Sequence, residues 1–209
     1  MFSGFKEATF EKSYSFKLDS MPKGIQVDLT FECRVAGPWL LGFKSWIEQM
    51  KDVRELHKKM YFSRFPASME STKKYLLDGP IGNPNQILFL ILDRAGTLHG
   101  HVGLKLDHKG IVNVDNVLRI NNGSLGVMKV ALQEILTWGN TTLGVSEYSL
   151  QVISTNVRGI ALYKELGFSV RERINLKIEN FSDGSAILSP STKNHSNTTE
   201  EMLIMNIVL

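Results

Sequence analysis

A single cysteine, Cys33, occurs in 209 residues. That scarcity excludes an internal disulfide framework and any cysteine-rich zinc site, and leaves Cys33 to be either a buried structural thiol or a nucleophile. Long apolar runs are also missing. The longest, Ile87 to Leu92, falls far short of the roughly 20 residues a membrane-spanning helix needs. The opening MFSGFKEATFEK has no apolar signal core, so no membrane is expected and the expected compartment is the cytoplasm. Charge of one sign is scarce too, with 24 Lys+Arg against 21 Asp+Glu. Residues 1–75 hold 13 basic and 9 acidic side chains and residues 76–209 hold 11 and 12. This is too dilute for the basic stripe that neutralises several phosphates, so no nucleic acid is expected. His99 and His101 form a His-x-His pair without an identifiable third ligand, so no metal is expected. What the chain does have is 43% hydrophobic and 22% charged residues, enough to bury the core of one ordinary domain.

The periodicity changes along the chain. Tyr14 to Leu18 and Ile25 to Phe31 alternate as half-buried strands do, around a turn at Met21-Pro-Lys-Gly24. From Trp39 to Leu77 the spacing is helical, through Leu40, Phe43, Ile47 and Met50 and then Leu56, Met60 and Tyr61. Ser68 marks the start of a further helix that ends before Asp78-Gly-Pro80. Strands are expected at Gln86 to Leu92, His99 to Leu106 and Ile111 to Ile120, the first two an antiparallel pair. A helix follows from Val127, closed at Gly139. Next come a strand at Tyr148 to Ile153, a helix capped by Asn156 and ended by Gly167, a strand at Phe168 to Glu179, an exposed loop at 180–199 and a last strand at Met202 to Ile207. The fold class is therefore α/β, with one mixed, largely antiparallel central sheet flanked by helices.

Between the third of these strands and the Val127 helix lies Asn121-Asn122-Gly123-Ser124-Leu125-Gly126. A small-residue loop entering a helix presents unpaired backbone N–H groups beside the positive end of the helix dipole, a site suited to phosphate. The alternative is that Gly123 and Gly126 simply permit a tight turn. The loop is neither a Walker loop nor a full Rossmann glycine pattern.

The segment Asn156-Val-Arg-Gly-Ile-Ala-Leu-Tyr-Lys-Glu-Leu-Gly-Phe168, with an Asn opening a helix that carries Ala-Leu-Tyr and ends in Gly-Phe, resembles the C-terminal signature of the GNAT superfamily of acyl-CoA-dependent N-acetyltransferases. In that family an earlier Gln/Arg-x-x-Gly-x-Gly/Ala loop cradles the coenzyme A pyrophosphate. Here it corresponds to Asn121-x-x-Ser124-x-Gly126, with Asn121 and Ser124 departing from the pattern and Gly159 standing where Ala or Ser is usual. The resemblance is clear over roughly 86–179. Over Leu40 to Leu77 it is looser, with Trp46, Asp52-Val-Arg54 and Ser68-Met-Glu70 similar to the ribosomal-protein and amino-sugar branches. It implies a single GNAT-like domain over 1–209, with 1–33 as an extra N-terminal segment.

The resemblance further implies transfer of an acetyl group from acetyl-CoA, as co-substrate, to a primary amine by direct attack. It places the coenzyme against Val117, Leu118, Arg119, Asn121, Asn122, Gly123, Ser124, Leu125, Gly126, Val127, Asn156, Arg158 and Tyr163. The pantetheine arm would pair with Val117 to Arg119, where a backbone N–H would meet the oxyanion. Tyr163 would donate the proton to the leaving thiolate, since a phenol with a pKa near 10 is protonated at neutral pH. The amine needs a base, and Asp115 is the first candidate, with His101 on the neighbouring strand the second. A solvated strand carboxylate or an amine anchor is an equal reading of Asp115. For the acceptor the front half leans toward a nucleotide-linked amino sugar, with Arg54, Lys58 and Lys59 as candidate binding residues. A protein N-terminus or another small amine is the alternative, as is a GNAT-fold binding module without catalysis. A homodimer is compatible with all of these.

Overall fold

Eight consecutive residues from Gln86 to Asp93 are apolar except at the ends, and that run becomes the spine of the molecule. The computed structural model describes residues 14–18, 29–122, 125–191 and 200–209. Its strands, in chain order, are β1 (Tyr14–Leu18), β2 (Leu29–Val35), β3 (Ser63–Arg64), β4 (Gln86–Asp93), β5 (Leu98–Leu106), β6 (Val112–Arg119), β7 (Glu147–Ile153), β8 (Ser169–Asn180), β9 (Ala186–Pro190) and β10 (Glu201–Val208). They form one ten-stranded sheet in the order β1-β2-β4-β5-β6-β7-β10-β8-β9-β3. Every neighbouring pair is antiparallel except β6 with β7. Helices α1 (Lys44–Leu56), α2 (Met69–Leu76), α3 (Val127–Leu143) and α4 (Val157–Glu165) cover the sheet.

Strand side chains alternate between faces, and in β4 both faces are apolar because both are covered. Ile87, Phe89 and Ile91 join Val102, Leu104, Val112 and Val114 beneath Ala131, Leu132 and Ile135 of α3 and Tyr163 of α4. Leu88, Leu90 and Leu92 pack on the opposite side with Leu40, Ile47 and Met50 of the α1 region and Leu76 of α2. The sheet is thus sandwiched: α3 and α4 on one side, α1 and α2 on the other. Cys33 is buried in the first of these clusters, and burial, reinforced by Glu134 and Glu32, pushes its thiol up to about 12. Of its two readings, the structural thiol holds.

The local signals behave as their chemistry dictates. Ser68 caps α2 by accepting from the Ser71 N–H at 3.0 Å, while the Ser71 hydroxyl accepts from the Ser68 N–H at 2.8 Å, a reciprocal capping box. Three expectations need correction. Helix α3 does not close at Gly139 but runs to Leu143, where Gly144 supplies the left-handed cap at φ +70°. Gly139 lies inside the helix because a Cβ there would collide with the Tyr148 hydroxyl, which donates to the Leu136 carbonyl at 2.9 Å. The span 180–199 is not simply an exposed loop, since β9 forms a hairpin with β8 and pairs onward with β3; residues 192–199 lie outside the described residues. The N-terminal span 1–33 is not wholly an appendage either. β2 sits between β1 and β4 in the sheet and buries Phe31 and Cys33. The turn expected at 21–24 lies outside the described residues. Among the described residues no helix is long and apolar enough to cross a membrane.

Candidate active site

The single parallel contact opens the sheet. β6 pairs with β7 only from Val112↔Tyr148 to Val114↔Leu150, so the remaining peptide groups of β6, through Arg119, have no ladder to β7. On its other side β6 carries a bulge. Gly103 faces Asp115 and His101 faces Leu118, leaving one residue between the pair on β5 and two on β6. Asn116 adopts φ +48°, the only non-glycine residue with positive φ among those described. His101 holds this kink by donating its Nδ1–H to the Asn116 carbonyl at 2.7 Å; a carbonyl can only accept, which fixes the tautomer. His101 is buried, and that burial, opposed by the Asn116 carbonyl and aided by the Arg54 charge, lowers its pKa to about 4. The imidazole is therefore neutral at neutral pH. A bulge of this kind bends a strand and re-aims its edge. Here it directs the free edge of Asn116 to Arg119 along the gap to β7.

At the end of that edge the chain turns into α3. Arg119 fixes the turn by donating from Nε to the Asn121 carbonyl at 3.1 Å and from Nη2 to the Asn122 carbonyl at 2.9 Å. Gly126 occupies the helix N-cap at φ +83° with no side-chain cap, and its carbonyl accepts from the N–H groups of Lys129 and Val130. The N–H groups of Val127 and Met128 thus begin the helix at the mouth of the gap, with no side-chain cap among the described residues. Val127 is buried and Leu125 exposed; Gly123 and Ser124 lie outside the described residues. Across the gap Asn156 caps α4, its Oδ1 accepting from the Gly159 N–H at 3.0 Å. A Cβ at Gly159 would approach Asn156 Nδ2 to 2.8 Å, so glycine at this position lets the cap close. Arg158 is exposed in the first turn of α4, and a Lys129–Glu165 ion pair of 2.9 Å ties α3 to α4.

Three tyrosines, Tyr163, Tyr61 and Tyr75, lie within electrostatic reach of Asp115, near where β6 and β7 separate. Tyr163 of α4 is buried and packs edge-on to Phe168. Burial above all, then the negative charge of Asp115 and the neighbouring Tyr61, raise its pKa well above the phenolic range, so the hydroxyl keeps its proton. Asp115, one residue past Val114, points to the α1/α2 side of the sheet and is exposed. Its Oδ1 accepts from the Asn116 N–H at 2.8 Å and its Oδ2 from Asn116 Nδ2 at 2.9 Å. Arg54, in the last turn of α1, lies 4.5 Å from the ring centroid of Tyr61 and 5.9 Å from that of Tyr75. Burial pushes Tyr61 up to about 12, with Arg54 opposing and Asp115 adding. Tyr75 is raised by burial and by Asp115 in the same way.

The structure therefore brings together Asp115, His101, Tyr163 and Arg54, as well as Val117 to Arg119 and the start of α3. It does not bring in Lys58 or Lys59. Lys58 is exposed and pairs with Glu55 at 2.6 Å, and Lys59 is exposed at a surface turn where its carbonyl accepts from Arg64. Sequence reasoning missed Tyr61, Tyr75 and Asn116 as site residues, and Arg64 as their support. Arg64 bonds the carbonyls of Lys59 and Tyr61 and pairs with Glu200 from the far end of the chain, which pins the turn that carries Tyr61. Among the described residues no group of His, Cys, Asp and Glu gathers to hold a metal ion.

No protein-family model matches the sequence, and no curated protein matches it. Solved structures do. The spermidine N-acetyltransferase from Vibrio cholerae in complex with CoA and spermine superposes with a TM-score of 0.61 at 16% identity, over 86% of this chain and 95% of that one. The chain has a GNAT-like fold. The manganese complex of the Vibrio cholerae spermidine/spermine N-acetyltransferase gives a TM-score of 0.56 at 16% identity, over 86% and 92% of the two chains. A chimera of that enzyme with hSSAT gives 0.57 at 14%, over 79% and 90%. At these identities the likeness is one of fold, and the GNAT-like architecture expected from the Asn156 to Phe168 segment is borne out. The looser resemblance to the ribosomal-protein and amino-sugar branches draws no support from these neighbours.

Proposed function

We propose that this chain is an N-acetyltransferase that moves an acetyl group from acetyl-CoA to the primary amine of a small acceptor. The observation that carries the reading is the opened parallel pair: a bulged β6 edge that runs into a glycine-capped helix start, with the protonated, buried Tyr163 beside it. The residues present suit acyl-CoA. Backbone groups of Val117 to Arg119 offer an edge for the amides of an extended pantetheine arm. The helix start at Gly126 and Val127, shaped by Arg119, offers N–H groups to the pyrophosphate. Asn156 and Arg158 flank the opposite wall.

Acetyl-CoA supplies the acyl group as a thioester; the chain's own residues orient the amine and handle protons. Asp115, exposed and braced by Asn116, binds the ammonium and takes its proton. His101 acts as a positioning residue, holding the β6 bulge through the Asn116 carbonyl. Tyr163, whose hydroxyl is protonated in the resting site, hands that proton to the departing thiolate and recovers one from the acceptor nitrogen as the amide forms. A small-amine acceptor agrees with neighbours named for spermidine N-acetylation, whereas an amino sugar or a protein N-terminus has no such support.

A thiol-release assay over a panel of primary amines tests the proposal. Tyr163→Phe is expected to lower kcat by roughly 10²–10⁴-fold with acetyl-CoA affinity unchanged. Binding of acetyl-CoA without turnover of any amine would replace the enzyme reading with that of a binding module.

A further inference from the structure

Four arginines are half-buried among the described residues: Arg34, Arg54, Arg64 and Arg119. Three of them have acceptors. Arg34 chelates Glu32 at 2.8 and 3.1 Å, Arg64 holds Glu200 and two carbonyls, and Arg119 holds the carbonyls of Asn121 and Asn122. Arg54 makes no hydrogen bond or ion pair among the described residues. Its guanidinium lies over the rings of Tyr61 and Tyr75 at 4.5 and 5.9 Å. The carboxylates next to it in sequence are engaged elsewhere, Asp52 with Lys51 at 2.7 Å and Glu55 with Lys58 and the Ala67 N–H. A planar fork of five donors, partly withdrawn from water and held on two aromatic rings, is the arrangement that accepts a carboxylate or phosphate in two parallel hydrogen bonds.

The opposite charge is close by and equally open. Among the described residues Asp115 accepts only from its neighbour Asn116, and it does not pair with Arg54. Leu88, Gly103 and Asp115 lie in register across β4, β5 and β6, so Asp115 stands on the sheet face whose Leu88 cluster Tyr75 packs against, and the Arg54 guanidinium lies over that same Tyr75 ring. A cation and an anion left unpaired with each other on the same face form a receptor for a ligand that carries both signs. We propose that the acceptor is a zwitterion: its ammonium is bound by Asp115, and a carboxylate or phosphate beside the amine is bound by the Arg54 fork. This rests on the reading of the cleft as an acyltransferase site and narrows its substrate class. A polyamine brings only positive charge and would set a cation against Arg54.

Matched pairs of amines decide the matter: 4-aminobutyrate against butylamine for the carboxylate, glucosamine 6-phosphate against glucosamine for the phosphate, with spermidine as the polycation. The anionic member of at least one pair is expected to show a kcat/KM higher by about tenfold or more. Arg54→Gln should erase that preference, mainly through KM, while acetyl-CoA affinity stays unchanged. Arg54→Lys should restore only part of it, because the charge returns without the fork. Titration of the same five amines into the CoA-bound protein provides a readout independent of turnover. Equal behaviour within each pair to within about twofold, better use of spermidine, or no saturable binding of either anionic member would overturn the proposal. Failure of the wild-type protein to bind acetyl-CoA at all is a separate result and overturns the underlying reading instead.

Discussion

Replacing His101 by glutamine removes a titrating group while keeping an N–H for the Asn116 carbonyl, and the consequence can be worked out. In the folded chain the imidazole pKa falls from 6.5 to about 4, chiefly through burial. Between those pH values the unfolded chain takes up a proton that the folded chain refuses. The group's contribution is therefore intact above pH 6.5 and is lost as pH drops toward 4. At 1.36 kcal/mol per pKa unit the loss is roughly 2.5 kcal/mol by pH 4.5 and on the order of 3 kcal/mol at pH 4 and below. Urea unfolding of both proteins at pH 7.5, 5.5 and 4.5 measures it, since the carboxylates titrate alike in the two chains and cancel in the difference. At pH 7.5 the variant should be equal or slightly less stable, and by pH 4.5 it should have gained about 2.5 kcal/mol on the wild type. A difference that stays constant over this range would show that the imidazole is not desolvated, and the account of a neutral histidine holding the bulge would fail.

Two further perturbations probe the scaffold. Gly139→Ala drives a methyl group against the Tyr148 hydroxyl and should cost about 1–3 kcal/mol as overpacking; Tyr148→Phe alone should cost about 1 kcal/mol for its hydrogen bond to Leu136. The double variant should lose less than the sum of the two, and additive losses in thermal unfolding would refute the clash. Arg64→Ala leaves Glu200 unpaired and frees the turn that carries Tyr61. It should raise the acceptor KM while leaving acetyl-CoA affinity intact, and an unchanged KM would separate Arg64 from the site.

Much of this was legible in the sequence because the signals are local. The continuous apolar run at Ile87 to Leu92 identified a strand covered on both sides, Asn156 and Ser68 announced helix starts, and the Ala-Leu-Tyr helix ending in Gly-Phe brought Tyr163 to notice. Gly139 misled because a glycine inside a helix reads as a terminator when the side chain that requires it, Tyr148, comes from the next strand. β9 and the two-residue β3 were hidden by their shortness and polar surroundings; they exist by pairing with each other and with β8. The acceptor side was the least legible part. Arg54 stood out as a basic residue, but nothing local separates it from Lys58 and Lys59. Their difference depends on Tyr61 and Tyr75 lying beneath its guanidinium and on Glu55 taking Lys58 away. The β6 bulge likewise needs a partner, since Asn116 adopts its positive φ against His101 of another strand.

The central claim is that the gap between β6 and β7, together with the start of α3, is a site for acyl-CoA. Isothermal titration of the purified protein with acetyl-CoA tests it most directly, with desulfo-CoA and inorganic phosphate as controls. Saturable one-site binding of acetyl-CoA and desulfo-CoA, without saturation by phosphate alone, is the predicted result. No binding at millimolar acetyl-CoA would contradict it, leaving a GNAT-like fold whose cleft serves another purpose.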